Sequence, residues 1–377
     1  MGYELRKPLT ILALMAAFEF GIEAPMTKAQ NTNTTGVTSA IDTTSAANIS
    51  DALARLPASE AVMYFDVRRV LSEGLPRAFG NSDARLAAVN RDIEAFKTRT
   101  GLDAREFDTA AVSLKFTPRL TSLFPPRGTL QVNPVVIARG RFDANRIFAA
   151  GRDVAQNTEA VSRRIAREKE TSYKDIPIYT LKVGETVKVF GLIDLGESEI
   201  AIAALDANTL AIGKPQTVRA AIDANRGGKR VETELVQLAA RTPTALMGFA
   251  GRVPGVVSSR IDLGDEELSR RFRSVRLVYG SVALAADSFE MLSVLRATDA
   301  GAAQELSGTI TALQSFIPGL ISQLPAAVGT FAAANARNIR IAAEGNEVIV
   351  RVQLLPPTSV AAGKFSNKVA RKEANRC

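Results

Sequence analysis

The sequence predicts an α+β protein of two similar halves, each an antiparallel sheet covered by a long helix, after a signal peptide and a flexible linker. Three observations carry that prediction. Short apolar runs bounded by turn residues recur along the chain, as partly buried strands require. Each half holds one long helical pattern opened by an aspartate, Asp143 in the first and Asp299 in the second. The order strand, helix, two strands, long helix, hairpin also occurs twice, and such a unit leaves one apolar sheet face for its helix to cover.

Residues 1–29 read as a secretory signal. Arg6 and Lys7 precede an apolar run from Pro8 to Phe18, and Thr27 and Ala29 supply the small residues before a cut at Gln30. The run is too short to cross a bilayer; a buried N-terminal helix is the competing reading. Cleavage after Ala29 places the protein in the periplasm or outside the cell. Residues 30–49, rich in Thr, Asn, Ser and Ala, read as a flexible linker.

The first half, 50–227, opens with a strand at Ala61–Phe65 and helical patterns over Val67–Phe79 and Asp83–Thr100, with Gly101 as a helix stop. Strands follow at Thr109–Phe116 and Pro134–Gly140. Asp143 then opens a helix to about Lys169. Three or four further strands are expected, at Ile176–Val183, Thr186–Ile193, Glu199–Leu205 and Thr209–Ile212, the last two joined by the turn at Asp206-Ala207-Asn208. Pro215 suits the first position of a helix to Ala224.

The second half, 228–355, repeats the pattern. A strand at Pro243–Phe249 is followed by a helix at Asp265–Phe272 and strands at Leu277–Ala285 and Phe289–Ala297. Asp299 opens the second long helix, and a hairpin turns at Glu344-Gly345-Asn346. The two aspartates invite reading as a symmetric functional pair, but each sits where a helix N-cap is preferred. The connector Gly227-Gly228-Lys229-Arg230 lacks the spacing of a phosphate-binding loop.

Composition excludes several chemistries. The 377 residues include no histidine, and the single cysteine is Cys377. Histidine-based nucleophilic catalysis and imidazole or paired-thiolate zinc sites are therefore unavailable. No cofactor motif is present. Cys377 cannot close a disulfide within the monomer; in an oxidising compartment it links two chains or stays inert. The formal charge is +8, of which the tail 356–377 contributes +4. That tail reads as a disordered basic end, able to touch an anionic surface. Absent Trp and few Tyr argue against a nucleic-acid partner.

Two features distinguish the second half. Leu306–Ala336 carries no charge, so it is either buried on all sides or set against something apolar. Leu313, Phe316, Ile317, Leu320 and Leu324 are the candidate apolar ligand contacts there. Pro318, Pro325, Gln314 and Gln323 argue against a membrane span. Arg270, Arg271, Arg273 and Arg276 form a candidate anion patch, with a solvated face as the plainer alternative.

Four elements together carry a family likeness: the signal, the opening Leu56–Val62, the Arg139–Asp143 entry to a long helix, and Leu205–Gly213 followed by a helix to Asp223. With them the chain resembles a loose group of bacterial secreted or periplasmic proteins with a duplicated α+β unit. That resemblance implies a fold and a location but no chemistry. The expected function is an exported, non-enzymatic binding or interaction protein, whose partner is a protein or an apolar ligand. A lipid carrier using 306–336 and a carboxylate-based hydrolase are the alternatives.

Overall fold

The computed structural model describes residues 43–79, 83–100, 103–123, 126–143, 169–182, 188–189, 193–194, 199–259, 261, 263–314 and 335–355. The signal segment, most of the helix expected after Asp143, the residues from 315 to 334 and the basic tail lie outside them. The fold is α+β with a large antiparallel sheet. It divides into a larger unit, Asp42–Arg252 with Tyr279–Leu284, and a smaller one, Val253–Val278 with Met1–Ile41 and Ala285–Cys377.

The larger unit begins with α1 (Thr43–Ala54), which takes in residues expected to be linker. Ile49, Ala52 and Leu53, with Leu56 just beyond, are buried. Their spacing of three, four and seven is a helical stripe, which decides the conformation where local composition suggested coil. β1 (Ala61–Asp66) leads into α2, a helical run in three pieces, Val67–Arg69, a π-helical Val70–Gly74 and Leu75–Phe79. The Asp66 carboxylate accepts from the Arg69 N–H at 2.9 Å and caps its start. α3 spans Asp83–Thr100.

β2 (Phe107–Leu123) and β3 (Pro126–Gly140) form one long hairpin. β1 covers β2 over Thr109–Leu114. Later in the chain, β4 (Lys169–Tyr173) and β5 (Ile176–Lys182) make a second hairpin. Lys169 is therefore in a strand, where the sequence suggested the end of a helix. β4 has no alternating apolar pattern, and its turn, Lys174-Asp175, carries neither Gly nor Asn. Both turn residues nevertheless have positive φ, 52° and 62°, as a two-residue type I′ turn demands. The strand expected over Thr186–Ile193 is instead two short pieces, β6 (Lys188–Val189) and β7 (Ile193–Asp194), paired with each other.

β8 (Glu199–Asp206), β9 (Thr209–Gly213), α4 (Pro215–Asn225), α5 (Thr233–Ala239) and β10 (Ala245–Arg252) complete the unit. Its strand order is β10-β1-β2-β3-β9-β8-β5-β4. β9 pairs β3 over Val135–Arg139 and stops at Pro134, which has no N–H. From Lys115 to Leu123 and from Pro126 to Pro134, the β2–β3 hairpin runs on as a ribbon with no third strand among the described residues.

Alternation along these strands separates two sheet faces. One face of β2 and β3 gives Ala110, Val112, Val136 and Ala138 to a buried cluster with Phe65, Phe107, Phe142 and Leu210. The opposite face carries Ser113, Lys115, Asn133 and Val135. α4 packs on β3, β8 and β9 with Val218, Ala221 and Ile222 fully buried.

In the smaller unit α6 (Gly255–Ser258) and α7 (Glu266–Arg273) precede β11 (Val275–Leu284), whose second part counts with the larger unit. β12 (Phe289–Ala297), α8 (Ala300–Gln314), β13 (Ile339–Glu344) and β14 (Glu347–Leu354) follow. β14 pairs with both β12 and β13. α8 covers them, burying Ala303 and Leu306 against Val275, Ala297 and Val348. The Asp299 carboxylate accepts from the Ala302 N–H at 2.9 Å, which is the N-cap role. Among the described residues no helix is long and apolar enough to cross a membrane.

Candidate functional site

In the larger unit a cleft of about 570 Å³ opens on the Ser113 face of the sheet. Its floor follows from strand register. Ser113 stands opposite Val135, and Lys115 opposite Asn133, so two adjacent cross-strand pairs present all four side chains to one side. Going outward along this face, the pairs change from apolar Ala111 and Ile137 to polar Lys115 and Asn133. Thr217 of α4 also lines the cleft; its hydroxyl lies 3.2 Å from the Pro134 carbonyl and ties the first turn of α4 to β3.

Three further segments form the rim. The connector after α4 contributes Arg226 and Lys229. Gly227, at φ 90°, and Gly228 close the helix end, the Gly228 N–H donating to the Asp223 carbonyl at 2.8 Å. The Ala58 N–H donates to the Lys229 carbonyl at 3.3 Å, and the Val231 N–H to the Leu56 carbonyl at 3.1 Å, which anchors the connector beside Pro57. The β4–β5 turn contributes Lys174, whose ammonium donates to Asp223 at 2.5 Å. The Tyr173 hydroxyl donates to the same carboxylate at 3.1 Å. Arg219 and Lys174 each lie 5.6 Å from the centre of the Tyr173 ring, within cation–π range.

The electrostatics are one-sided. Lys115, Lys174, Arg226 and Lys229 face the cleft, and Asp223 is the one carboxylate among its described lining residues. The bond to Lys174 holds the Asp223 carboxyl below its ordinary range and raises the Lys174 ammonium. Lys115, Arg226 and Lys229 have no carboxylate partner among the described residues. Arg226 and Lys229 suit the C-terminal end of α4, but Lys115 comes from a strand and Lys174 from a hairpin, so the convergence is more than a helix-end effect.

The floor holds an unpaired group. Asn133 is 5 % exposed; its Nδ2 donates to Thr117 Oγ1 at 3.1 Å, while its Oδ1 is buried without a hydrogen-bond partner. Such groups are uncommon, because burying an unsatisfied amide oxygen costs ~1–3 kcal/mol.

The arginines singled out in the sequence lie elsewhere. Arg270, Arg271 and Arg273 share α7, and Arg276 follows in β11. Arg271 pairs with Glu267 and donates to Thr309 Oγ1 at 2.7 Å. Arg273 bonds Glu266 at 2.8 Å, and Arg276 donates to the Arg273 carbonyl at 3.0 Å. Arg270 and Arg271 line a smaller cleft of about 300 Å³ together with Asp299 and Glu305, where acids offset the bases. Leu313 is half-buried near the end of α8. Phe316, Ile317, Leu320 and Leu324 lie outside the described residues. Among the described residues no three acidic, His or Cys side chains converge as a metal site.

No protein family and no curated protein matches the chain. Among solved structures it is similar to TP0453. Crystal form III shares 8 % identity over 83 % of this chain and 98 % of that one, with a TM-score of 0.42. Form I shares 10 % identity over 83 % and 97 %, with the same TM-score. A likeness at this level transfers no residue role.

Proposed function

We propose that the protein is an exported, non-enzymatic binding protein whose ligand is acidic and occupies the cleft floored by Ser113, Asn133 and Val135. One observation carries this reading: four cations from three separate segments converge on the cleft, and three of them lack a carboxylate partner among the described residues. Four like charges set against one carboxylate favour a bound anion. The backbone adds support. Lys174 reaches the rim from a left-handed conformation that costs a non-glycine residue ~1 kcal/mol or more, and such outliers collect at binding sites. Asp223 is ion-paired, and no second carboxylate stands beside it among the described lining residues, so these residues offer no acid pair for hydrolysis.

Titration calorimetry with methyl phosphate tests the reading. Saturable binding that weakens with added salt, and that falls at least tenfold in Lys115→Glu/Lys229→Glu, is the expected result. Absent binding, or equal affinity in the double variant, overturns it. Export is tested separately by sequencing the mature N-terminus, expected at Gln30.

The two sheet-and-helix arrangements are read as copies of one unit. In the first, β3 pairs the second strand of the closing hairpin, β9; in the second, β12 pairs β14 in the same way. Arg139 opposes Thr209, and Arg296 opposes Glu347, at matching ends of these ladders. One residue on, the Gly140 N–H donates to the Asn208 carbonyl at 3.1 Å and the Ala297 N–H to the Asn346 carbonyl at 2.8 Å. Superposing residues 132–140 and 201–213 on 289–297 and 339–351 in experimental coordinates tests the duplication.

A further inference from the structure

We infer that the ligand is an anionic polyol, a phosphorylated sugar or sugar alcohol, whose acidic group meets the lysine and arginine rim while its hydroxyls meet Ser113 and Asn133 on the floor. This rests on the anion-binding reading of the cleft. Size is the first argument. About 570 Å³ exceeds what one inorganic oxyanion needs and falls within the usual range of small-molecule sites. Distribution is the second. Lys174, Arg226 and Lys229 stand on the rim, from a hairpin turn and a connector, and Lys115 stands beside the floor on β2. The floor between them is uncharged, with polar Ser113 2 % and Asn133 5 % exposed beside apolar Val135.

The third argument is the amide itself. Thr117 Oγ1 occupies one end of the Asn133 amide and leaves the other unpaired. A hydroxyl both donates and accepts, as does the threonine partner, so the amide can pair at both ends in either of its two orientations. Its terminal torsion is broad and roughly two-fold, so its two orientations exchange oxygen and nitrogen between the threonine and the unpaired position. A ligand hydroxyl thus satisfies the orphan whichever end it meets; an apolar ligand group cannot.

Calorimetry on the full chain compares glucose 6-phosphate with methyl phosphate, which offers the same charged group without hydroxyls. The expected result is at least tenfold tighter binding of glucose 6-phosphate. Asn133→Leu, close in shape, and Ser113→Ala should each shrink that ratio toward one with methyl phosphate unchanged, and Lys115→Met should weaken both probes. Melting curves confirm that each variant folds. Equal affinity of the two probes for the wild type, or a ratio that survives in both floor variants, overturns the inference and leaves the anion site standing. No binding of either probe removes the site itself. Vesicles of phosphatidylcholine carrying phosphatidylinositol separate the sources. Capture lost in Asn133→Leu assigns the polyol phosphate to a lipid headgroup, and binding of the free sugar phosphate without capture assigns it to a soluble metabolite.

Discussion

Lys174 donates to Asp223 across 2.5 Å, joining the β4–β5 turn to the last turn of α4. The bond holds the carboxyl below its ordinary value. A depressed folded value means that the pair adds stability above the unfolded value of the carboxyl and loses it as pH falls through the folded one. Asp223→Asn should therefore melt slightly below wild type at neutral pH, the gap closing in acid. The pair is largely exposed, so the effect is small. The same variant frees Lys174 and should tighten methyl phosphate binding. A gap that widens on acidification would contradict this account.

Asp175 adopts φ 62°, a conformation glycine enters without steric cost. Asp175→Gly should stabilise the protein by up to ~1 kcal/mol, read from urea unfolding, while leaving the Lys174 side chain in place for binding.

Asp66 is 7 % exposed, and burial raises its carboxyl above the ordinary 3.8. For a raised folded value the charged form weakens the fold at high pH, and the penalty disappears as pH drops toward 3.8. Asparagine keeps the cap to the Arg69 N–H. Asp66→Asn should therefore be more stable than wild type at neutral pH, with the advantage vanishing in acid, as measured by paired denaturant titrations.

Gly140 leaves no room for a side chain. A Cβ there would sit 2.1 Å from the Glu106 carbonyl oxygen, where the Arg141 N–H also bonds at 2.8 Å. Gly140→Ala should cost ~1–3 kcal/mol through forced backbone shifts.

Legibility in the sequence followed the strength of the local pattern. Asp83–Thr100 and Phe289–Ala297 have the same bounds in sequence and structure because caps and turns mark their ends. β4 was hidden, since Lys169–Tyr173 is polar throughout and its turn borrows an unfavourable conformation from Lys174 and Asp175. α1 was hidden by linker-like composition around a stripe that only burial makes visible. The cleft was harder still. Lys115 and Asn133 become neighbours only through the register of a long hairpin, and Lys229 reads as a simple connector until the Ala58 bond fixes it beside them. Clustered arginines on α7 advertised themselves in sequence, whereas glutamates one turn away, Glu266 and Glu267, accompany them.

The ribbon beyond the sheet has a bearing on solubility. Exposed strand margins are templates on which other chains can zip and aggregate. Pro118 on one arm and Pro126 and Pro134 on the other remove N–H donors along this ribbon, so an invading strand finds its ladder interrupted on both margins. Replacing those prolines with valine would restore the N–H donors on these margins and favour fibril nucleation.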